Sequence, residues 1–205
     1  MKNFVYLAGA PAGKEAFVVD PAWDVPAILS AVQADGRKLA GIFLTHHHHD
    51  HINGVPELLE AADLPVYVQR KEVAFTDVLK PFASAIRTTE PGQKLLVAGL
   101  AVECLHTPGH TPGAQCLHCA GGLFSGDTLF VNACGRCDFK GGDPLAMHES
   151  LFDVIGALPG ATVLYPGHDY GDVKVSSIER EKKWNPYFQL KDPGAFVRLR
   201  MKPRP

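Results

Sequence analysis

The chain reads as an α+β or layered α/β protein in which short strands are interleaved with amphipathic helices. Three observations carry that reading. Eight short apolar runs, rich in β-branched or aromatic residues, are each bounded by Gly, Pro or Asp. Segments with apolar residues at helical spacing fall between them. Finally, 46% hydrophobic against 20% charged residues over 205 positions supplies enough apolar surface for a substantial core.

Taken in order, the strand runs are NFVYLAG (3–9), AFVVDP (16–21), GIFLT (41–45), VYVQ (66–69), KLLVAGLAVECLHT (94–107), AQCLHC (114–119), GLFSGDTLFV (122–131) and ATVLYPG (161–167). A first helix is expected over 26–35, with Ile28, Ala31 and Val32 on one face, Pro26 near its start and Gly36 just past its end. Shorter helices follow over 56–62 and 70–79. Asp143 and Pro144 are a cap and a first-turn proline, opening a helix to Ala157 whose buried stripe is Met147, Leu151, Ile155 and Leu158. Ser176 and Glu179 form a capping box for a short helix that Trp184-Asn185-Pro186 ends. The expected organisation is one domain over 1–205, with no separate C-terminal helical substrate domain.

The bulk properties exclude several classes. A formal net charge of −2 gives no footprint for nucleic acid or an acidic membrane. No apolar run is long enough for a signal peptide or a membrane span, so a cytoplasmic location is expected. The basic patch of Lys191, Arg198, Arg200, Lys202 and Arg204 against Asp192 reads as a solvated tail. Five cysteines, an odd number, fit a reducing compartment. CLHC (116–119) and CGRC (134–137) resemble a zinc ribbon by spacing. Cys116 and Cys119 on one strand point to opposite faces, however, so free thiols are the favoured reading.

The chemistry is concentrated in THHHHDH (45–51), where five histidines and an aspartate occupy six consecutive positions after an apolar strand. Loops at strand ends are where catalytic ligands are commonly mounted. Alternate residues of a tight turn share a cavity, which groups His46 with His48, brings Asp50 and His51 from the far end, and leaves out His47 and His49. Two metals that each keep a position for water need further ligands from other strand ends. His110 in TPGHTPG, Asp127 in FSGDTLF and His168 in LYPGHDY stand in such places. A metal-buffering protein using the histidine tract alone would leave those three without a purpose.

Thr45, His46, His48, Asp50 and His51, followed in order by His110, Asp127 and His168, resemble the ligand pattern of the metallo-β-lactamase superfamily. The resemblance runs from AFVVDP to WNPYF. It implies an αββα sandwich with the metal site at one edge between the two sheets. It also implies two divalent metal ions, zinc favoured and iron or a mixed pair as alternatives. One ion would take His46, His48 and His110; the other, Asp50, His51 and His168; Asp127 would bridge. TPGHTPG, FSGDTLFV and PGHDY look most like the glyoxalase II group, the hydroxyacylglutathione hydrolases. The implied reaction is cleavage of a thioester by a metal-bound hydroxide, with Asp50 and Asp127 as the catalytic acids. The substrate is then a small molecule, a glutathione conjugate in that group, and neither nucleic acid nor membrane is a partner.

Two departures from that group stand out. Only 35 residues follow Tyr170, and the substrate-loop pattern Cys-Gly-Lys-Phe-Tyr becomes CGRCDF (134–139). CGRCDFKGGDP and SSIEREKKWNP also resemble the persulfide dioxygenases of the same superfamily, which use one iron held by residues matching His46, His110 and Asp127. A lactonase or lactamase of this fold is the remaining alternative. Arg136 and Lys140 are the expected substrate-binding cations. Asp20 reads equally as a partner of a ligand histidine or as a turn acid before Pro21. His106 and His118 read as structural, and His148 is assigned no role.

Overall fold

The protein is described by a computed structural model over residues 2–202. Its first sheet has five strands in the order β1 (Tyr6–Ala8), β2 (Glu15–Val19), β3 (Lys38–Phe43), β4 (Val66–Gln69) and β5 (Ile86–Thr89). From β2 to β5 they run parallel, and α1 (Val25–Ala34), α3 (Val55–Ala61) and α4 (Arg70–Phe75) lie in the crossovers. The one-turn helix α2 (His49–Ile52) follows β3. The second sheet has six strands, β13 (Ser176–Ser177), β12 (Val163–Pro166), β9 (Gly122–Gly126), β8 (Gln115–Cys119), β7 (Leu100–His106) and β6 (Gln93–Val97). It is antiparallel except where β12 runs beside β9. β10 (Leu129–Phe130) and β11 (Ala133–Cys134) form a separate small hairpin.

Strand periodicity sorts the core into three layers. Phe17, Val19 and Phe43 project from the first sheet onto Val102, Cys104, Leu117 and Phe124 of the second. Their neighbours Val18, Ile42, Leu44, Val66 and Val68 point the other way, against Val25 and Ile28 of α1 and Val55 and Leu58 of α3. On the far side, Cys116, Leu123 and Leu164 pack on Met147, Leu151 and Ile155 and on Ile178 and Phe196. The order is helix, sheet, sheet, helix, the αββα sandwich expected from the resemblance.

Several elements differ from the sequence reading. The run 94–107 is two strands, because Ala98 and Gly99 both take positive φ (50° and 74°) and turn β6 back on β7. A two-residue turn of that kind matches the twist of paired strands. The helix from Pro144 runs regularly only to Glu149 (α5), then passes through a π turn (Ser150–Val154) and a 3₁₀ turn (Ile155–Ala157). Met147, Leu151 and Ile155 of its stripe are still buried, and Leu158 is partly so. Helix α4 ends at Phe75, well short of 79. The cap of α6 (Ile178–Trp184) is Ser177, whose hydroxyl accepts from Arg180 N; Ser176 instead donates to Glu181. β5 escaped because its sequence IRTT is polar.

The C-terminal segment is not the solvated tail its charge suggested. Residues 193–200 form α7 (Pro193–Arg200), capped by Asp192, whose carboxylate accepts from Ala195 N at 2.8 Å. Proline in the first turn is compatible with a helix start, and Phe196 anchors the helix at 0% exposure. Arg200 is buried too. Arg204 lies outside the described residues.

The five cysteines are buried, and none forms a disulfide. Cys116 and Cys119 lie in different core layers, and the metal-competent groups among the described residues contain no cysteine. Burial pushes the thiols up, to about 11 at Cys104 and Cys116 and about 12 at Cys137. No described helix is long and apolar enough to cross a membrane.

Phe17 is fully buried between the sheets, with its ring 5.0 Å from Phe43 and 6.4 Å from Phe124. Phe17→Ala is expected to cost about 3–5 kcal/mol in urea unfolding. A loss below about 1 kcal/mol would show that the two inner faces do not pack in this way.

Candidate metal centre

Four chain segments meet at one edge of the sandwich. After β3 the chain bends at Thr45; His46 and His48 meet at His110 while His47 turns to Glu72, and α2 then presents Asp50 and His51. His110 comes from the loop between β7 and β8, Asp127 from the end of β9 and His168 from the end of β12. Two glycines allow the approach. Gly126 has φ 49°, and a Cβ there would stand 2.3 Å from Thr45 Oγ1; a Cβ at Gly167 would stand 2.7 Å from Asp127 Oδ1.

The seven side chains form two groups. His48 Nδ1 is 3.1 Å from His46 Nε2 and 2.9 Å from His110 Nε2. In the other group, His168 Nε2 is 3.3 Å from His51 Nε2 and 3.5 Å from Asp50 Oδ2. Asp127 faces both: Oδ2 is 3.5 Å from His110 Nε2, and Oδ1 is 3.3 Å from the Nε2 atoms of His51 and His168. Two ligands about 2.0–2.1 Å from one tetrahedral ion are themselves about 3.3 Å apart. The spacings therefore suit one cation in each group.

The far sides of the rings show why a cation fits. The Thr45 hydroxyl donates to Asp20 Oδ2 at 2.6 Å, so its oxygen is left to accept from His46 Nδ1 at 3.0 Å. His110 Nδ1 donates to the Arg136 carbonyl at 2.7 Å. In their neutral forms both rings thus aim an unprotonated Nε2 at His48. His51 Nδ1 donates to Asp20 Oδ2 at 2.9 Å. Asp127 Oδ1 is buried without a hydrogen-bond partner. Converging lone pairs and an orphaned carboxylate oxygen are a donor set for a cation. Of the two readings of Asp20, the contact with His51 is the one expected of a partner to a histidine of the cluster. Its backbone, at φ 49°, holds a conformation uncommon for a non-glycine residue.

Electrostatics follow the same division. Burial, reinforced by neighbouring imidazoles, lowers His46 well below the usual histidine range and His48 to about 4. Burial lowers His110 as well. For His51 burial acts downward, but Asp127 and Asp20 overcome it and raise the ring well above its ordinary value. Asp127 is the counterpart: burial would raise it, but His51 and His168 hold it well below the carboxylate range. A cation entering the His51 group has to displace that ring's proton.

Two organising residues had no local sequence signal. Glu72 in α4 is completely buried and accepts from His47 N and His47 Nδ1 on one oxygen, and from Thr111 Oγ1 (2.8 Å) and Gly113 N (2.9 Å) on the other. It clamps the loop bearing His48 to the loop bearing His110. Asn3 Nδ2 donates to the Asp50 carbonyl at 2.8 Å and to Asp50 Oδ2 at 3.0 Å. Glu72 falls within the helix expected over 70–79 and Asn3 at the start of the run 3–9, where neither has a nearby partner along the chain.

The other singled-out residues are placed as follows. His49 lies at the cavity mouth. Arg136 lines the cavity, but its guanidinium is held by Asp138 at 2.8 and 2.7 Å and rests on the Phe139 ring. Lys140 is not brought into this cavity; its ammonium stands over Phe75 in a neighbouring hollow. His106 Nε2 donates to the Pro112 carbonyl, His118 faces Glu103, and His148 stacks on Phe152.

An αββα sandwich with histidines and aspartates gathered at one edge defines a class of metal-dependent enzymes. The chain belongs to the metallo-beta-lactamase superfamily, whose family model matches residues 2–168. It is 31% identical over 198 residues to BaeB of Bacillus velezensis, a probable polyketide biosynthesis zinc-dependent hydrolase, covering 97% of this chain and 87% of that protein. It is 42% identical over 169 residues to a hydroxyacylglutathione hydrolase of Alkalilimnicola ehrlichii; the match covers 82% of this chain and 62% of that enzyme's length. Among solved structures, ETHE1 from Myxococcus xanthus matches with a TM-score of 0.88 and 31% identity, covering 100% of this chain and 88% of that one.

Because all four partners of Glu72 donate, an amide in its place would turn an NH₂ group onto two donors. Glu72→Gln is expected to weaken metal retention by about 10- to 100-fold in chelator competition. Unchanged retention would mean that the clamp does not position the ligands.

Proposed function

We propose that the chain is a metal-dependent thioester hydrolase acting on a substrate of the hydroxyacylglutathione type. The observation that carries the reading is the divided carboxylate of Asp127, with one oxygen facing each ligand group. That arrangement calls for two cations, zinc being the favoured pair. Sequence similarity to a hydroxyacylglutathione hydrolase and to a zinc-dependent hydrolase supports it.

His46, His48 and His110 would hold one ion, Asp50, His51 and His168 the other, and Asp127 would join them. Bound there, two divalent cations supply Lewis acidity and lower the pKa of water toward neutrality. The chain's own residues do the rest. Asp50, an acceptor only as a carboxylate, orients the attacking water and takes up its proton, while Asp127 fixes the two ligand groups relative to each other. Asn3 holds Asp50 for that task through two bonds from one amide. Asp20 and the Arg136 carbonyl keep His51 and His110 turned inward. Phe130, Phe139, Tyr170 and Tyr187 line a cavity of about 740 Å³ beside the ligands and shield the reacting carbonyl from bulk water. A thiolate leaves readily, so the cavity needs no strong acid at the sulfur.

A second reading, glutathione persulfide oxidation with a single iron at His46, His110 and Asp127, is favoured by CGRCDFKGGDP. Metal content decides between them. The protein from its native host is expected to contain close to two metals per chain and to hydrolyse a hydroxyacylglutathione thioester. One iron per chain, with oxygen uptake on glutathione persulfide and no thioester turnover, would replace the hydrolase reading with the second one.

Asp127→Ala is expected to lower the metal content toward one ion per chain and kcat/KM by more than about 100-fold, beyond the effect of a supporting residue. Full activity in a metal-loaded Asp127→Ala protein would overturn the assigned bridge.

A further inference from the structure

The cavity beside the proposed metal ligands holds a buried cation, Arg200, with no ion-pair partner among the described residues. Arg200, the last residue of α7, is 6% exposed and lines the same cavity as His110, Asp127 and His168. Its Nη1 donates to the Cys134 carbonyl at 3.2 Å and to the Tyr187 hydroxyl at 3.0 Å. Its Nε is sealed from solvent with no acceptor. No carboxylate stands within ion-pair distance of its guanidinium among the described residues, and the nearby Asp138 is spent on Arg136. The guanidinium also lies 5.4 Å from the centre of the Tyr187 ring.

A guanidinium keeps its charge in a protein interior, so burying it against one carbonyl and one hydroxyl is costly. With only Nη1 engaged, the guanidinium keeps donors to spare, and its charge and planar donor set suit the oxygens of a carboxylate or phosphate. We propose that Arg200 is the anchor for an oxyanion on the thiol half of the substrate, so that the enzyme selects thiol carriers by their negative charge. The proposal rests on the thioester reading for its catalytic consequence, since a small hydroxyacyl group is neutral and the carrier supplies the charge. Arg136 is the poorer anchor because Asp138 already holds its fork.

The test uses binding and turnover separately. S-methylglutathione carries carboxylates and no free thiol; the corresponding coenzyme A thioether carries phosphates. Calorimetry on the metal-loaded enzyme is expected to show one of these bound, and Arg200→Met to weaken it by about 30-fold or more. Arg200→Lys, which keeps the charge without the fork, is expected to recover part of the loss. Which thioether binds tells carboxylate from phosphate. In turnover, the preference for the charged thioester over its neutral N-acetylcysteamine counterpart, as a ratio of kcat/KM, is expected to fall by a similar factor. Equal binding by wild type and Arg200→Met, or no binding of either thioether by the wild type, would overturn the anchor. If binding depends on Arg200 while no thioester is turned over, the anchor stands and the hydrolase reading falls.

Discussion

Five histidines and two aspartates can share one pocket only if something outside the pocket decides where each proton lies. That constraint governs this structure. Three acids enforce it. Asp20 takes both the Thr45 hydroxyl and the His51 ring, which turns the reactive nitrogens of His46 and His51 inward. Glu72 collects four donors from two loops and sets their separation. Asp127 is left with an oxygen that no proton donor satisfies well, and is the point at which the two ligand groups meet. The outer two acids are fully engaged by hydrogen bonds, which leaves the inner one free to meet cations.

The fold serves the same constraint. One ligand group depends on the end of β3 in the first sheet and on the loop after β7 in the second; the other combines α2 with the end of β12. Neither sheet alone carries a complete set. Loss of packing between Phe17, Phe43 and Phe124 would therefore separate the two sources of each histidine–aspartate group as well as expose apolar surface.

The parts of this arrangement that lie close together along the chain were legible without coordinates. The His46–His51 cluster follows a recognisable strand, and His110, Asp127 and His168 sit beside glycines and prolines that mark strand ends. The layered strand-and-helix pattern was legible for the same reason: alternation along a strand reports directly which face is buried. What escaped is long-range. Glu72 meets Thr111 and Gly113 across 39 and 41 positions, and Asn3 meets Asp50 across 47, distances over which a sequence carries no local mark. The paired strands β6 and β7 were read as one because Ala98 is an unusual residue for a left-handed turn. Helix α7 was hidden by its charge: Arg198 and Lys202 are solvent-facing as composition suggests, while Phe196 and Arg200 turn inward.

The buried thiols bear on how such an enzyme tolerates its own chemistry. Thiol–disulfide exchange proceeds through the thiolate. A thiol with a pKa of about 11, as at Cys104 and Cys116, is ionised at neutral pH to only on the order of one part in ten thousand. Cys104 and Cys116 are also packed in core layers that a small disulfide cannot enter. Under the proposed thioester hydrolysis, which releases thiols, the protein is thereby kept from being capped at these positions by disulfides of its own products. It needs no reductant to protect those side chains, and the redox state of its surroundings is not written into its structure.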